Sequence, residues 1–388
     1  MEYVRNMKKL QLKVKLSLGL LSALVFIGCQ SNPTGQLTDS SGSPSNFSTP
    51  SDPSKLQKNA DEISVMQYNV ENLFDNVHDK DREDFVYLPR SEKAKPEAVA
   101  FCKTQKSNSR RAECEDLDYS DEVVNTKLAN IAKVIRAIDG GKGPDNLMVE
   151  EVENENILKM LVNKQLSDLG YKTIVLLEGP DLRGIDPGFI SKFPLKGQPK
   201  LHLVPYEDSN PEQLKWARRS RGILEVTVTL PNKKDLTFLV AHFPSQQNPV
   251  AWRKQAVQFA KTLVADINKQ GRAVIFGGDL NITAEEEETQ NFFKNDFSSV
   301  GKVSHLVGCK TCLGSHNYRG GWSFLDAIVY GNGLKDAKLE LIPESIEVVR
   351  TADNMKKNGA PLAFRPENEK NMGVSDHFPL YSRLRILK

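Results

Sequence analysis

The stretch Val274-Ile275-Phe276-Gly277-Gly278-Asp279-Leu280-Asn281 constrains the fold of this chain more than any other. Its first half is a short apolar run of the kind a buried strand makes, and two glycines close it. Asp279 and Asn281 follow two residues apart, so in an extended backbone their side chains share one face. A carboxylate at a strand rim orients or activates a water, and a neutral amide beside it donates to an anionic oxygen. Gly-Asp is also ordinary turn chemistry, so the reading depends on what the other strands carry.

They carry polar residues in equivalent places. Ile63-Ser64-Val65-Met66-Gln67-Tyr68-Asn69-Val70 puts Asn69 near its end. Leu147-Met148-Val149 runs into Glu150-Glu151-Val152-Glu153-Asn154, a set that suits either a solvated helix start or metal ligands. The apolar run at 236–240 ends at Ala241-His242-Phe243-Pro244-Ser245-Gln246. Trp322-Ser323-Phe324-Leu325-Asp326-Ala327-Ile328-Val329-Tyr330 holds an acid in mid-strand, which is costly unless paired. Ser375-Asp376-His377 offers the partner. Helical spacing fills the gaps, from Thr126 to the stop at Gly140-Gly141, then over 155–169 and 252–267. The segment 79–121 is a charged insertion of low periodicity. No repeat or composition break divides 61–388, which reads as one domain.

These residue types suit phosphate-ester hydrolysis. A hard divalent cation takes oxygen ligands, which Glu151, Asp376 and Asn69 provide. Deprotonating a water near neutral pH suits a histidine held by a carboxylate. The net charge of +2 is too small to mark a nucleic-acid binder by bulk electrostatics. Locally, 192–221 holds Lys192, Lys196, Lys200, Lys215, Arg218, Arg219 and Arg221 against Glu207, Asp208 and Glu212. Such a run is either a solvated face or a cationic wall whose phosphate contacts position a polyanion. Arg221 stands out because a strand at 223–230 begins just after it.

The amino terminus stands apart. Lys8, Lys9, Lys13 and Lys15 precede an apolar stretch at 16–27, shorter than the roughly 20 residues that span a bilayer. Gly28-Cys29 closes it, so 1–28 reads as a signal peptide of lipoprotein type, with Cys29 as the acylated residue. A plain signal peptide is the alternative. Residues 29–60 are rich in Ser, Thr, Pro, Gly and Asn and read as a flexible tether. The protein is thus expected to be exported, periplasmic or at the cell surface, anchored to membrane by lipid, and monomeric. In that oxidising setting Cys102, Cys114, Cys309 and Cys312 form an even set. Local pairing, Cys102 with Cys114 and Cys309 with Cys312, is favoured. Zinc at Cys309-x-x-Cys312 is the rival, and a redox role is weaker for want of a surrounding βαβ pattern.

Taken in order, Tyr68-Asn69-Val70-Glu71-Asn72-Leu73-Phe74-Asp75, Glu151-Val152-Glu153-Asn154, Arg183-Gly184-Ile185-Asp186, His242-Phe243-Pro244-Ser245-Gln246, Gly278-Asp279-Leu280-Asn281, Trp322-Ser323-Phe324-Leu325-Asp326 and Ser375-Asp376-His377 resemble the endonuclease/exonuclease/phosphatase superfamily. The resemblance implies an α/β fold, a four-layer α/β/β/α sandwich of two mixed sheets flanked by helices. It implies Mg2+, or Mn2+ or Ca2+, on Glu151 with Asn69 and Asp376 close to the metal. By the same likeness Asp279 and Asn281 align the attacking water and bind phosphoryl oxygens, and Asp326 and His377 form a carboxylate–imidazole dyad. His242 matches a second histidine of the deoxyribonuclease-like branch, and Arg221 a phosphate-contacting arginine. The implied activity is hydrolysis of DNA or RNA phosphodiesters by in-line attack of water. A sphingomyelinase-like lipid phosphodiesterase, a phosphomonoesterase and a non-catalytic binding lipoprotein are the alternatives. Three departures are visible: Glu150 where the family usually has Gln, Ala241 where it often has Asn, and Pro187-Gly188 after Asp186.

Overall fold

Alternation along the strands builds the architecture, because both faces of each sheet are buried. The computed structural model describes residues 47–367 and 372–388. The strands are β1 (Glu62–Leu73), β2 (Asn146–Val152), β3 (Thr173–Leu176), β4 (Asp186–Ser191), β5 (Lys200–His202), β6 (Ile223–Thr229) and β7 (Asp235–His242). They continue as β8 (Ala273–Asp279), β9 (Gly301–Val303), β10 (His316–Tyr318), β11 (Gly321–Ser323), β12 (Asp326–Gly331), β13 (Leu339–Val348) and β14 (Leu380–Ile386). Two six-stranded sheets result, in the orders β13-β14-β1-β2-β4-β3 and β5-β6-β7-β8-β12-β9, with β10 and β11 as a separate hairpin. Each sheet is mixed. Its central parallel pair, β1 with β2 or β7 with β8, is flanked by antiparallel strands. Parallel neighbours need a crossover, and the helices Asp121–Arg136 and Val250–Lys269 lie in those two connections.

The layers follow residue by residue. Ile63 and Val65 of β1, Met148 of β2, Phe238 and Val240 of β7, and Ile275 of β8 fill the space between the sheets. Their neighbours Met66, Tyr68, Leu147 and Val149 face the helices Asp121–Arg136 and Glu155–Gln165. On the other side Leu239, Ala241, Val274 and Phe276 meet Val257, Ala260 and Val264 of the helix Val250–Lys269. Each large side chain so buried contributes roughly 1.5–3 kcal/mol. The outcome is the expected α/β/β/α sandwich.

Some sequence expectations change. Gly277 and Gly278 do not end the strand, since β8 runs through them to Asp279. They admit close neighbours instead: a Cβ on Gly277 would lie 2.7 Å from Met148 Cε, and one on Gly278 1.8 Å from the Ala241 carbonyl oxygen. The helix expected from Thr126 begins at Asp121, where the Ser120 side chain accepts from the Val123 N–H. The 79–121 insertion contains the helices Pro96–Lys103 and Asn108–Asp116, joined by the Cys102–Cys114 disulfide. Cys309 and Cys312 are also bonded to each other. Pro187 and Gly188 do not interrupt β4, which pairs with both β2 and β3.

The signal peptide, Cys29 and residues 29–46 of the expected tether lie outside the described residues. At 47–60 the chain is packed, not free. Phe47 sits edge-on to Trp322, the Ser51 hydroxyl donates to the Val348 carbonyl oxygen, and Leu56 is buried. These residues belong with the fold, which shortens the tether at its C-terminal end. No described helix is long and apolar enough to cross a membrane.

Candidate active site

The alternation that buries apolar side chains between the sheets also sets the site, because at one end of that layer the same face turns polar. His242 of β7 pairs with Asp279 of β8, and Asp279 with Asp326 of β12, so three ionisable residues stand side by side. Opposite them, β1 contributes Gln67 and Asn69, and β2 contributes Glu150 and then Glu151 beyond a break in register. His377 enters from the segment before β14.

The contacts are direct. Asp326 Oδ2 lies 2.6 Å from His377 Nδ1, with both residues buried. Asp279 Oδ2 accepts from Asn69 Nδ2 at 3.0 Å and lies 3.5 Å from His242 Nε2 and 3.8 Å from His377 Nε2. Glu151 Oε1 accepts from Asn69 Nδ2 at 3.3 Å, and Oε2 from the Asn72 N–H at 3.0 Å. Glu71, Asn72, Glu151 and Asn281 all have φ between 52° and 63°. Left-handed backbone at a non-glycine residue costs of order 1–3 kcal/mol, and such strain clusters at functional sites.

Seven of the sequence-selected residues therefore converge: Asn69, Glu151, His242, Asp279, Asn281, Asp326 and His377. Asp376 sits at the rim, its side chain 44% exposed and 4.0 Å from His377 Nε2. Asn69 Oδ1 accepts the Glu71 N–H at 2.9 Å, which leaves its second lone pair for a cation, while its Nδ2 donates to Asp279 and Glu151. The left-handed turn at Asn281 breaks the expected shared face with Asp279. Its N–H donates to Asp279 Oδ1 at 2.9 Å, and its Nδ2 donates to the Phe243 carbonyl oxygen at 3.1 Å.

Glu150 neither faces solvent nor joins the metal ligands. It is fully buried, and its Oε2 accepts from Gln67 Nε2. Burial first and the Asp326 charge second push its carboxyl well above the ordinary carboxylate range.

Electrostatics divide the histidines. Burial, with Arg221 and Arg183 close by, holds His242 well below its ordinary value and therefore neutral. Burial also pulls on His377, but Asp326 and Asp279 outweigh it and the net effect is upward. Asp279 is pushed up to about 7 by burial, against His377 and with Asp326. A third imidazole, His316, lies tilted with its centroid 4.9 Å from that of His377 and is drawn down to about 4 by burial and by the His377 charge. Sequence reading missed it.

Arg221 is buried, its Nε 3.2 Å from Asp181 Oδ2, and Arg183 Nη2 donates to the same oxygen at 3.0 Å. Both arginines feel the Glu151 charge. Arg183 was visible in the Arg183-Gly184 motif without being chosen. Two lysines of the basic run are engaged elsewhere. Lys192 pairs with Asp145, and Lys196 lines a cavity of about 430 Å³ with Arg272 and Asp336, where β8 begins and not where it ends.

The loop carrying Asp376 and His377 is tied down by buried groups. Lys127 Nζ donates to the Val374 carbonyl oxygen at 2.7 Å, Asn130 Nδ2 to that of Gly373 at 2.8 Å, and the Phe364 N–H to Glu71 Oε2 at 2.7 Å. Lys127 is fully buried, an expense only such pairing supports.

The donor set fits a hard divalent cation. Glu151, Asp279, Asp326 and Asp376 gather carboxylates at one end of the layer, where ligand atoms of Asp279, Asp326 and His377 all lie within 4.8 Å of one another. Oxygen ligands of this kind suit Mg2+, Mn2+ or Ca2+.

A two-sheet sandwich with a buried imidazole–carboxylate dyad beside clustered acids defines a phosphoesterase class. The chain belongs to the Endonuclease/Exonuclease/phosphatase family, whose model matches residues 113–386. Members of that family are metal-dependent phosphoester hydrolases. Similar solved structures include TDP2 from Caenorhabditis elegans, at 15% identity and TM-score 0.49 over 84% of this chain and 75% of that one. Another is a mannosyl-6-phosphatase from Bacteroides thetaiotaomicron, at 12% identity and TM-score 0.48 over 83% of this chain and 99% of that one. The human Nocturnin catalytic domain aligns at 14% identity and TM-score 0.46, over 83% of this chain and 93% of that one. Comparison with curated protein sequences finds no match.

Proposed function

We propose that this protein is an exported, lipid-anchored phosphodiesterase that uses Mg2+, with Mn2+ or Ca2+ as alternatives, to hydrolyse DNA or RNA. The observation that carries the reading is Asp279, a buried carboxylate faced by Asn69, His242 and His377, with Glu151 alongside. Glu151 and Asp376, with Asn69 beside them, would hold the cation, which would supply charge neutralisation worth several kcal/mol. Asp279 orients the attacking water and takes its proton. As the bond from phosphorus to the leaving oxygen breaks, His377, its charged form favoured by Asp326, gives its Nε2 proton to that oxygen. Neutral His242 adds a donor on the far side of Asp279, and Arg221 with Arg183 attracts the phosphate backbone. Asn281, braced on Phe243, holds Asp279 in line.

A phospholipid substrate is a second reading, favoured by one feature. The β10–β11 hairpin is bridged to the site through His316 and His377, and it presents Tyr318 65% exposed with Arg319 over its ring. The dyad argues against a binding protein without chemistry, since binding needs no basic histidine. Incubation with plasmid DNA in Mg2+ and in chelator tests the first reading: nicking in Mg2+ alone supports it, and intact plasmid in both refutes it. Phosphocholine release from sphingomyelin vesicles, with plasmid left intact, transfers the assignment to lipid. The anchor is tested by Cys29→Ser, expected to move the protein from the membrane to the soluble fraction.

A further inference from the structure

Gln67 is fully buried two residues before Asn69, on the strand face that points between the sheets. Its Nε2 lies 2.7 Å from Glu150 Oε2 and 2.7 Å from Asp326 Oδ1. An amide nitrogen has two N–H groups, and each carboxyl takes one. Turning the amide over would set its oxygen 2.7 Å from the Asp326 carboxylate, an acceptor against an acceptor, so Asp326 selects the orientation. Gln67 Oε1 and Glu150 Oε1 have no hydrogen-bond partner, which marks the bridge, and not general solvation, as what this amide does. Asp326 is thereby held at both oxygens, Oδ1 by Gln67 and Oδ2 by His377. A carboxylate gripped at both ends cannot rotate, and the imidazole it faces is held in plane with it.

We propose that Gln67 is a positioning residue for the His377–Asp326 dyad, and that Glu150 anchors it from the other side. This rests on the dyad's role in phosphoester hydrolysis proposed above. Partners of this outer kind typically carry about 10- to 100-fold in activity. Gln67 acts through Asp326 and touches no reacting atom.

The test is Gln67→Met, which keeps length and apolar packing but has no donor. Turnover of bis(p-nitrophenyl) phosphate should fall about 10- to 100-fold in kcat. KM should stay within about twofold and the unfolding temperature should not fall, because a ground-state or folding defect would move those instead. Glu150→Met should lose more kcat than Glu150→Gln, which retains an acceptor for Gln67. Proton NMR gives a readout that needs no activity: the downfield His377 Nδ1 proton should shift or broaden in Gln67→Met. A kcat within about twofold of wild type, or an unmoved proton signal, overturns the proposal. If Gln67→Met fails to fold, Gln67→Asn, too short to serve both carboxyls, is read by the same measurements. Wild-type protein inactive on every phosphoester would sink the functional reading alone, and the proton signal would still decide the role of Gln67.

Discussion

Asp279 shows how a single side chain acquires its role from its neighbours. A carboxylate at a strand end is unremarkable in isolation, but the ladder sets His242 on one side of it and Asp326 on the other. The chain segment alone revealed Asp279, Asp326 and His377, because an acid inside an apolar strand demands a partner and only a few segments offer one. Gln67 was not legible. A lone amide in an apolar strand means nothing until the cross-sheet neighbours Glu150 and Asp326 are known. Nor was the turn at Asn281, since a left-handed backbone leaves no mark in the order of residue types. At this scale the dyad can be tested through Asp326→Asn. General acid–base catalysis contributes about 10²- to 10⁴-fold, so kcat should drop by that order with little change in KM. Steady-state kinetics on a phosphodiester checks it, and wild-type kcat would remove the dyad from the mechanism.

Among the elements, β1, β2, β7, β8 and β12 were readable from their apolar runs, and the helices between them from helical spacing. Their boundaries were less so, because glycines that usually punctuate a chain here serve approach between backbones. Gly278, with φ of 146° and the Ala241 carbonyl oxygen where a Cβ would go, is the extreme case. Gly278→Ala should destabilise the fold by at least ~3 kcal/mol, combining overpacking with backbone strain, and denaturant unfolding measures it. The short helix Ser304–Val307 illustrates a pH effect. His305 is wedged between Phe293 and Phe324, ring centroids 4.6 and 4.5 Å away. Burial draws it from 6.5 down to about 3, so the unfolded chain binds a proton that the folded chain refuses. Its contribution to stability is therefore intact above pH 6.5 and declines as pH falls from there to about 3. His305→Phe should flatten that part of the acid limb in thermal unfolding followed against pH, and an unchanged slope would refute the assignment.

For the molecule as a whole, the order of strand-end motifs along the chain carried the fold, since no single motif was specific. What composition misjudged was the edge of the domain. Residues 47–60 look like tether, yet Phe47 and Leu56 pack into the body, as two anchoring apolar residues in a polar stretch are enough to do. Residues from both sheets meet where one divalent cation would be held beside a phosphorus atom. The most direct test is the initial rate of bis(p-nitrophenyl) phosphate hydrolysis against Mg2+ concentration, for wild type and Glu151→Ala. The wild type should show saturable, chelator-sensitive turnover. Glu151→Ala should lose several kcal/mol of transition-state stabilisation, at an unchanged unfolding temperature. Equal rates for the two proteins, or wild-type turnover indifferent to Mg2+ and chelator, would contradict this.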